Sequence, residues 1–177
     1  MSGDISGLER PAPVRVILPD ADATAALGEA LWHAWHGEQC VIGLDGDLGL
    51  GKTTLVRGLL RAAGHAGSVR SPTYTLMEPY AVAGRRVLHL DLYRLGEPDE
   101  LELLGLRDEL GPGCLILVEW PCRGRGALPR EDLRLHLDER GDGREARLAA
   151  CSATGRAVIA DILAGTSQSA NLSFLEM

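Results

Sequence analysis

The apolar run Cys40-Val41-Ile42-Gly43-Leu44 leads almost directly into a glycine-rich octet, Gly46-Asp47-Leu48-Gly49-Leu50-Gly51-Lys52-Thr53. A segment with helical spacing follows, from Thr53 to Ala63, with Leu55, Val56, Leu59 and Leu60 on one side. This succession leaves few folds open. A short continuous apolar run reads as a strand buried on both faces, as in a parallel sheet. The octet fits G-x-x-x-x-G-K-[ST], whose glycines let the backbone curl until successive N–H groups point inward. The helix behind it adds the positive end of its dipole. Strand, loop and helix in this order predict an α/β chain with a phosphate-binding loop. Lys52 sharpens the reading, because it is the only lysine and the other 17 basic residues are arginine. Arginine's planar fork does not replace a compact ammonium lying along phosphates. Thr53 brings a hydroxyl to the place where Mg²⁺ would sit.

Upstream, Val14 to Leu18 reads as a strand. Asp20, Asp22 and Thr24 offer capping oxygens to a helix that carries Leu27, Ala30, Leu31 and Ala34 and stops at Gly37. Downstream, two apolar runs end in an acid: Val87-Leu88-His89-Leu90 meets Asp91, and Leu115-Ile116-Leu117-Val118 meets Glu119. Ligands of open α/β sheets collect outside the carboxyl ends of the strands. If both strands neighbour the one feeding the loop, both acids arrive at its phosphates. One would then hold Mg²⁺ and the other would orient or deprotonate an attacking water. His89 shares the Asp91 side of its strand and reads as a packed neighbour. Glu97 to Leu104 reads as an acidic surface helix ended by Gly105. Leu133 to Leu137 and Ala146 to Ala150 read as a hairpin turned at Asp142-Gly143, and Arg156 to Ala164 as a closing helix. The pattern gives one domain over residues 13–164, a loose N-terminus over 1–12 and a frayed tail over 165–177.

Some segments allow two readings. Ser71-Pro72-Thr73-Tyr74-Thr75 suits either a β-edge or a switch that senses a γ-phosphate. Trp120, directly after Glu119, either packs or gates the site. Arg123, Arg125, Arg130 and Arg134 form either a solvated loop or a contact for an acidic partner or RNA. The net charge of −7 disfavours direct gripping of nucleic acid, which needs a basic surface. Cys40 and Cys114 open apolar runs and read as core thiols, whereas Cys122 lies in a loop; no CxxC pair exists. With no basic, apolar leader and no long apolar window, the expectation is a reduced cytoplasmic chain without disulfides, zinc or membrane contact.

The order of these blocks resembles the bacterial TsaE (YjeE) family, which assists threonylcarbamoyladenosine formation in tRNA. The matching segments are Leu18-Pro19-Asp20 with Thr24 to Gly28, the loop from Gly46 to Thr54, Ser71 to Leu76, His89 to Leu95, and Leu117-Val118-Glu119-Trp120-Pro121. The resemblance spans roughly residues 13–163. It implies a single-domain P-loop NTPase with a mixed, mostly parallel central sheet flanked by helices. It implies an ATPase that is slow alone and stimulated by a TsaD–TsaB complex, which it resets between rounds of modification; tRNA is touched only indirectly. ATP would be bound by Gly46, Asp47, Leu48, Gly49, Leu50, Gly51, Lys52, Thr53 and Thr54, with Arg144 reaching in from the Gly143-Arg144 turn. Mg²⁺ would be held by Thr53, Glu119 and the nearby Asp91. Lys52, Glu119, Asp91 and the switch residues Thr73 and Thr75 would carry the chemistry. Leu50 departs from the smaller residue usual in the family; facing inward, it would weaken nucleotide binding.

Two rival readings stay in view. A P-loop small-molecule kinase would need an arginine lid, for which residues 123–134 are the candidate segment, but the acid pairs and glycine runs of shikimate-type kinases are missing. A nucleotide-dependent binding module would need little hydrolysis. A GTPase is excluded, since Asn-Lys-x-Asp needs a second lysine and the only asparagine is Asn171.

Overall fold

The computed structural model of the chain describes residues 12–165 and 172–175. In chain order the elements are β1 (Val14–Leu18), α1 (Ala21–Ala34), β2 (Cys40–Asp45), α2 (Lys52–Ala62), β3 (Met77–Val82), β4 (Arg85–Asp91), α3 (Glu100–Leu103), α4 (Leu106–Glu109), β5 (Cys114–Glu119), β6 (Leu133–Arg140), β7 (Gly143–Ala150), α5 (Ala153–Gly165) and β8 (Ser173–Leu175). The strands form one sheet in the order β3-β4-β5-β2-β6-β7-β1-β8. Its middle is parallel: β4 with β5, β5 with β2, and β2 with β6. Both flanks are antiparallel. The parallel middle brings the carboxyl ends of β2, β4 and β5 to one edge.

Period-two alternation divides the core. Ile42, Leu44, Leu115 and Leu117 face α1, α2 and α5 and pack with Leu27, Leu31, Leu55, Leu59, Val158 and Ile162. Val41, Leu88, Leu90, Ile116 and Val118 face the other way and are covered by Leu101 of α3 and Leu106 of α4. On the first face, α1 and α2 meet backbone to backbone. A Cβ on Gly28 would stand 2.0 Å from the Leu55 carbonyl oxygen, and one on Gly58 would stand 2.1 Å from that of Ala25. The helix that opens at Lys52 is thereby locked against α1. No helix among the described residues is long and apolar enough to cross a membrane.

Several expectations change. Met77–Val82 is an edge strand that the sequence pattern did not announce, because Pro79 breaks it; proline is tolerated at an edge, where an N–H is not needed. The helix expected over Glu97 to Leu104 starts only at Glu100, and a second single turn, Leu106–Glu109, follows it. The Glu100 carboxylate accepts from the N–H groups of Gly96 (3.1 Å) and Glu97 (2.9 Å), which holds 96–99 as a turn. Gly105, left-handed at φ 73, ends α3 as the sequence predicted and leads the chain into α4. The hairpin turns at Gly141-Asp142, with Arg140 paired to Gly143, since Gly141 supplies the positive φ that a two-residue loop needs. In the tail, Ser173–Leu175 pairs with β1 and completes an otherwise open sheet edge, with Phe174 against the core. Residues 1–11, 166–171 and 176–177, where the remaining loose-terminus expectations fall, lie outside the described residues.

Candidate functional site

β2 ends at Asp45 and α2 begins at Lys52, so the first six residues of the octet, Gly46 to Gly51, make one tight passage. Gly46 (φ 131) and Gly51 (φ 102) take conformations that side chains oppose, and a Cβ on Gly46 would also stand 2.5 Å from the Leu137 carbonyl oxygen. The loop closes around its own lysine. Lys52 Nζ donates to the carbonyls of Gly46 (2.5 Å) and Asp47 (2.9 Å) and lies 4.3 Å from the centre of the Trp120 ring. With 4% of its surface exposed, its pKa is lowered by burial, while Glu119, Asp91, Asp47 and Asp45 pull the other way.

The two strand-end acids arrive opposite one another, Asp91 in register with Glu119. Their surroundings differ. Glu119 Oε1 accepts from the Thr53 hydroxyl at 2.9 Å and lies 2.8 Å from His89 Nε2. Both contacts fall on Oε1, which leaves Oε2 for the cleft. Asp91 has both oxygens engaged: Oδ1 accepts from the Tyr93 N–H at 3.0 Å, and Oδ2 from the hydroxyls of Ser71 and of Thr73, the latter at 2.7 Å. Ser71 and Thr73 are themselves 2.7 Å apart, so two protons serve three contacts. The hydroxyl-rich segment is thus a turn drawn onto Asp91, not a β-edge.

Lys52, Thr53, Thr73, Asp91 and Glu119 line one cavity of about 360 Å³, together with Leu48, Gly49, Gly51 and Thr54 from the loop. The remaining candidates stand elsewhere. Gly46 and Asp47 contribute carbonyls to Lys52. Leu50 is buried in the core on the α1–α2 face and does not line the cavity. Thr75 is exposed and does not line it either. Arg144 donates to the Thr24 hydroxyl at 3.0 Å and abuts Gly51 from behind, while its Nε is buried without a partner among the described residues.

Sequence reasoning missed three contributors. Ser71 stood in the hydroxyl-rich block, yet only the fold shows that it reaches Asp91. His89 was placed on the correct side of β4 by alternation, but its bond to Glu119 depends on how β4 and β5 align. Arg94, which lines the cavity, stacks 4.7 Å from the ring of exposed Tyr74. Trp120 lines the cavity: its ring covers Lys52 and lies 5.2 Å from Tyr93, and its backbone is left-handed at φ 60, an uncommon conformation for a bulky residue. Arg134 pairs with Glu131 at 2.8 Å, and Arg123 lies 5.5 Å from the Tyr93 ring.

Comparison with known proteins gives the family and the fold. The family model described as threonylcarbamoyl adenosine biosynthesis protein TsaE matches residues 18–147. The chain is 46% identical over 125 residues to the tRNA threonylcarbamoyladenosine biosynthesis protein TsaE of Haemophilus influenzae, covering 70% of this chain and 79% of that protein. It is 37% identical over 102 residues to the protein of the same name from Bacillus subtilis, covering 58% of this chain and 63% of that one. The crystal structure of YdiB from Bacillus subtilis superposes with a TM-score of 0.70 at 25% identity, over 87% of this chain and 96% of that chain.

Proposed function

The chain belongs to the TsaE family of threonylcarbamoyladenosine biosynthesis proteins, and on that premise we propose that it is a magnesium-dependent ATPase that acts on a TsaD–TsaB complex and resets it between rounds of tRNA modification. The observation that carries this reading is the convergence of Lys52, Thr53, Asp91 and Glu119 on a single cavity. Loop amides and one ammonium suit a polyphosphate. Two carboxylates in the same cavity would repel it unless a divalent cation stood between. Among the described residues no three His, Cys, Asp or Glu side chains form a self-contained metal site, so such a cation would draw on Thr53 and on phosphate oxygens. The donors are all oxygens, the ligand type Mg²⁺ prefers.

In this reading the main-chain N–H groups of Gly49 to Thr54 and the Lys52 ammonium bind the phosphates. The Thr53 oxygen and Glu119 Oε2 would hold the metal. Mg²⁺, when bound, neutralises charge on the bridging and terminal phosphate oxygens. Asp91, with both oxygens occupied by protein donors, holds the Ser71–Thr73 turn over the cleft, where the two hydroxyls are placed to respond to a γ-phosphate. Leu48, 64% exposed, and Tyr74, 83% exposed, flank the mouth and give a partner something to touch. A group supplied by the partner completes the transition state; an arginine in such a role is worth about 10³–10⁵ in rate.

The test is an ATPase assay of the purified protein with and without TsaD–TsaB. Expected is a low basal rate, strong stimulation by the complex, loss of nucleotide binding in Lys52→Ala, and retained binding without stimulation in Glu119→Gln. Hydrolysis unaffected by the complex, or a fully active Glu119→Gln, overturns the assignment. Rapid transfer of phosphate to a metabolite would turn it towards a kinase.

A further inference from the structure

We infer that His89 is a positioning residue for Glu119: it fixes which carboxylate oxygen faces the cleft and thereby sets how firmly a magnesium ion is held beside the nucleotide. The inference rests on the magnesium-dependent nucleotide site proposed above, and it concerns a residue that does not line the cavity itself.

His89 sits in the middle of β4 and is 0% exposed. Its neighbours on that face, Val87, Leu115 and Leu117, are apolar. One ring nitrogen, Nε2, lies 2.8 Å from Glu119 Oε1; the other, Nδ1, is buried with no hydrogen-bond partner among the described residues. Leaving a buried polar atom unpaired is costly, since its water contacts are lost with nothing in return. A methionine or leucine would fill the same space without that cost, so packing alone does not account for an imidazole here. Its single polar contact does.

That contact also determines the tautomer. An ionised carboxylate only accepts, so the proton lies on Nε2 and Nδ1 is the bare acceptor, the less costly atom to leave unpaired. The Thr53 hydroxyl donates to the same Oε1 at 2.9 Å. Held by two donors, from β4 and from the start of α2, the carboxylate cannot swing, and Oε2 is the oxygen presented to the cleft. Without His89 the group hangs on Thr53 alone.

Partners of this kind, one step behind a metal ligand, typically change metal affinity about 10–100-fold when removed. The experiment titrates Mg²⁺ into the full-length protein with a fluorescent ATP analogue and compares wild type with His89→Met, His89→Asn and His89→Gln. Nucleotide affinity in EDTA and urea unfolding are measured alongside. Glutamine returns an N–H near the Nε2 position, whereas asparagine places its N–H near Nδ1, so the two polar variants share any burial cost and differ in reach.

Expected is a Mg²⁺ half-saturation about 10–100-fold higher in His89→Met and His89→Asn, near wild type in His89→Gln, with nucleotide affinity in EDTA the same throughout. In a Glu119→Ala background, His89→Met adds nothing further. Wild-type Mg²⁺ dependence in His89→Met, or an equal loss of nucleotide affinity in EDTA, overturns the inference and leaves the site assignment standing. Nucleotide binding by wild type that ignores Mg²⁺ removes both.

Discussion

The seam between α1 and α2 gives the most quantitative handle on the site. Replacing Gly58 by alanine places a Cβ 2.1 Å from the Ala25 carbonyl oxygen and 2.7 Å from Ala25 Cα. Close C···O contacts lie at about 3.3–3.6 Å, so the helices must separate by roughly 1 Å. A gap of that size forfeits about a quarter to a half of each dispersion contact across the seam. Overpacking of this kind costs about 1–3 kcal/mol. The clash is with backbone and cannot be relieved by a rotamer change, which puts the cost near the upper end. Alanine's better helix propensity offsets about 1 kcal/mol. The net loss is about 2 kcal/mol, or about 4–8 °C in Tm for a chain of this size. Gly28 faces the Leu55 carbonyl oxygen across the same seam, so helices already parted by one methyl should accommodate the second, and Gly28→Ala with Gly58→Ala should cost less than the sum of the singles. Because α2 opens at Lys52 and Thr53, the same displacement pulls the Thr53 hydroxyl from Glu119 and weakens nucleotide binding. Urea denaturation of the two single variants and the double variant measures all three energies. A Gly58→Ala protein as stable as wild type, or strictly additive losses, refutes the backbone-to-backbone account.

Two further outcomes test other parts of the structure. Burial pushes the Cys40 thiol up to about 12 and raises that of Cys114, while Cys122 and Cys151 are exposed; a chromogenic disulfide reagent at mildly alkaline pH should therefore titrate only Cys122 and Cys151 in the native protein and all four thiols in urea, and rapid native labelling of Cys40 would contradict the core. The hydrogen bond from Arg15 holds the Glu145 carboxyl below its ordinary 4.5, with Arg140 adding to it and burial opposing. A depressed carboxylate contributes stability that is complete above its unfolded value and lost as pH falls through the folded one. Acidification below about pH 4.5 should thus destabilise wild type more steeply than Glu145→Gln, and parallel urea midpoints for the two down to pH 3 would count against that ion pair.

The fold was legible where hydrophobic pattern and steric rule coincide. The run from Cys40 to Leu44, the glycine octet and the Leu55, Val56, Leu59, Leu60 stripe each needed only local information. β3 was not legible, since Met77–Val82 holds its place by pairing with β4 and carries an internal proline that local pattern counts against it. β8 likewise takes its place by pairing with the open edge of β1 at the other end of the chain, Ser173 opposite Ile17, far beyond any local cue. The two short helices over β4 and β5 were half legible: the composition showed helix, but the buried Leu101 and Leu106 that fix their break and docking are set by the sheet beneath them.

Asp91 and Glu119 show the same limit within the site. Sequence placed each at the end of an apolar strand, but only β5 adjoins β2, the strand that feeds the loop; β4 lies one strand further out, and its pairing with β5 sets Asp91 opposite Glu119. Nothing in the sequence told them apart, because what separates them comes from distant segments. Ser71 and Thr73 act on Asp91, while Thr53 and His89 act on Glu119. The consequence is an asymmetry of free valence: Asp91 has donors on both oxygens, and Glu119 has its donors on one. A cation approaching the cleft meets an available carboxylate oxygen on Glu119, but must displace Ser71 and Thr73, or the Tyr93 N–H, to reach Asp91. At the proposed magnesium site, holding the metal and releasing the hydroxyl turn would therefore fall to different acids. Glu119 can bind without disturbing the turn, and any ligand that engages Asp91 has to move it.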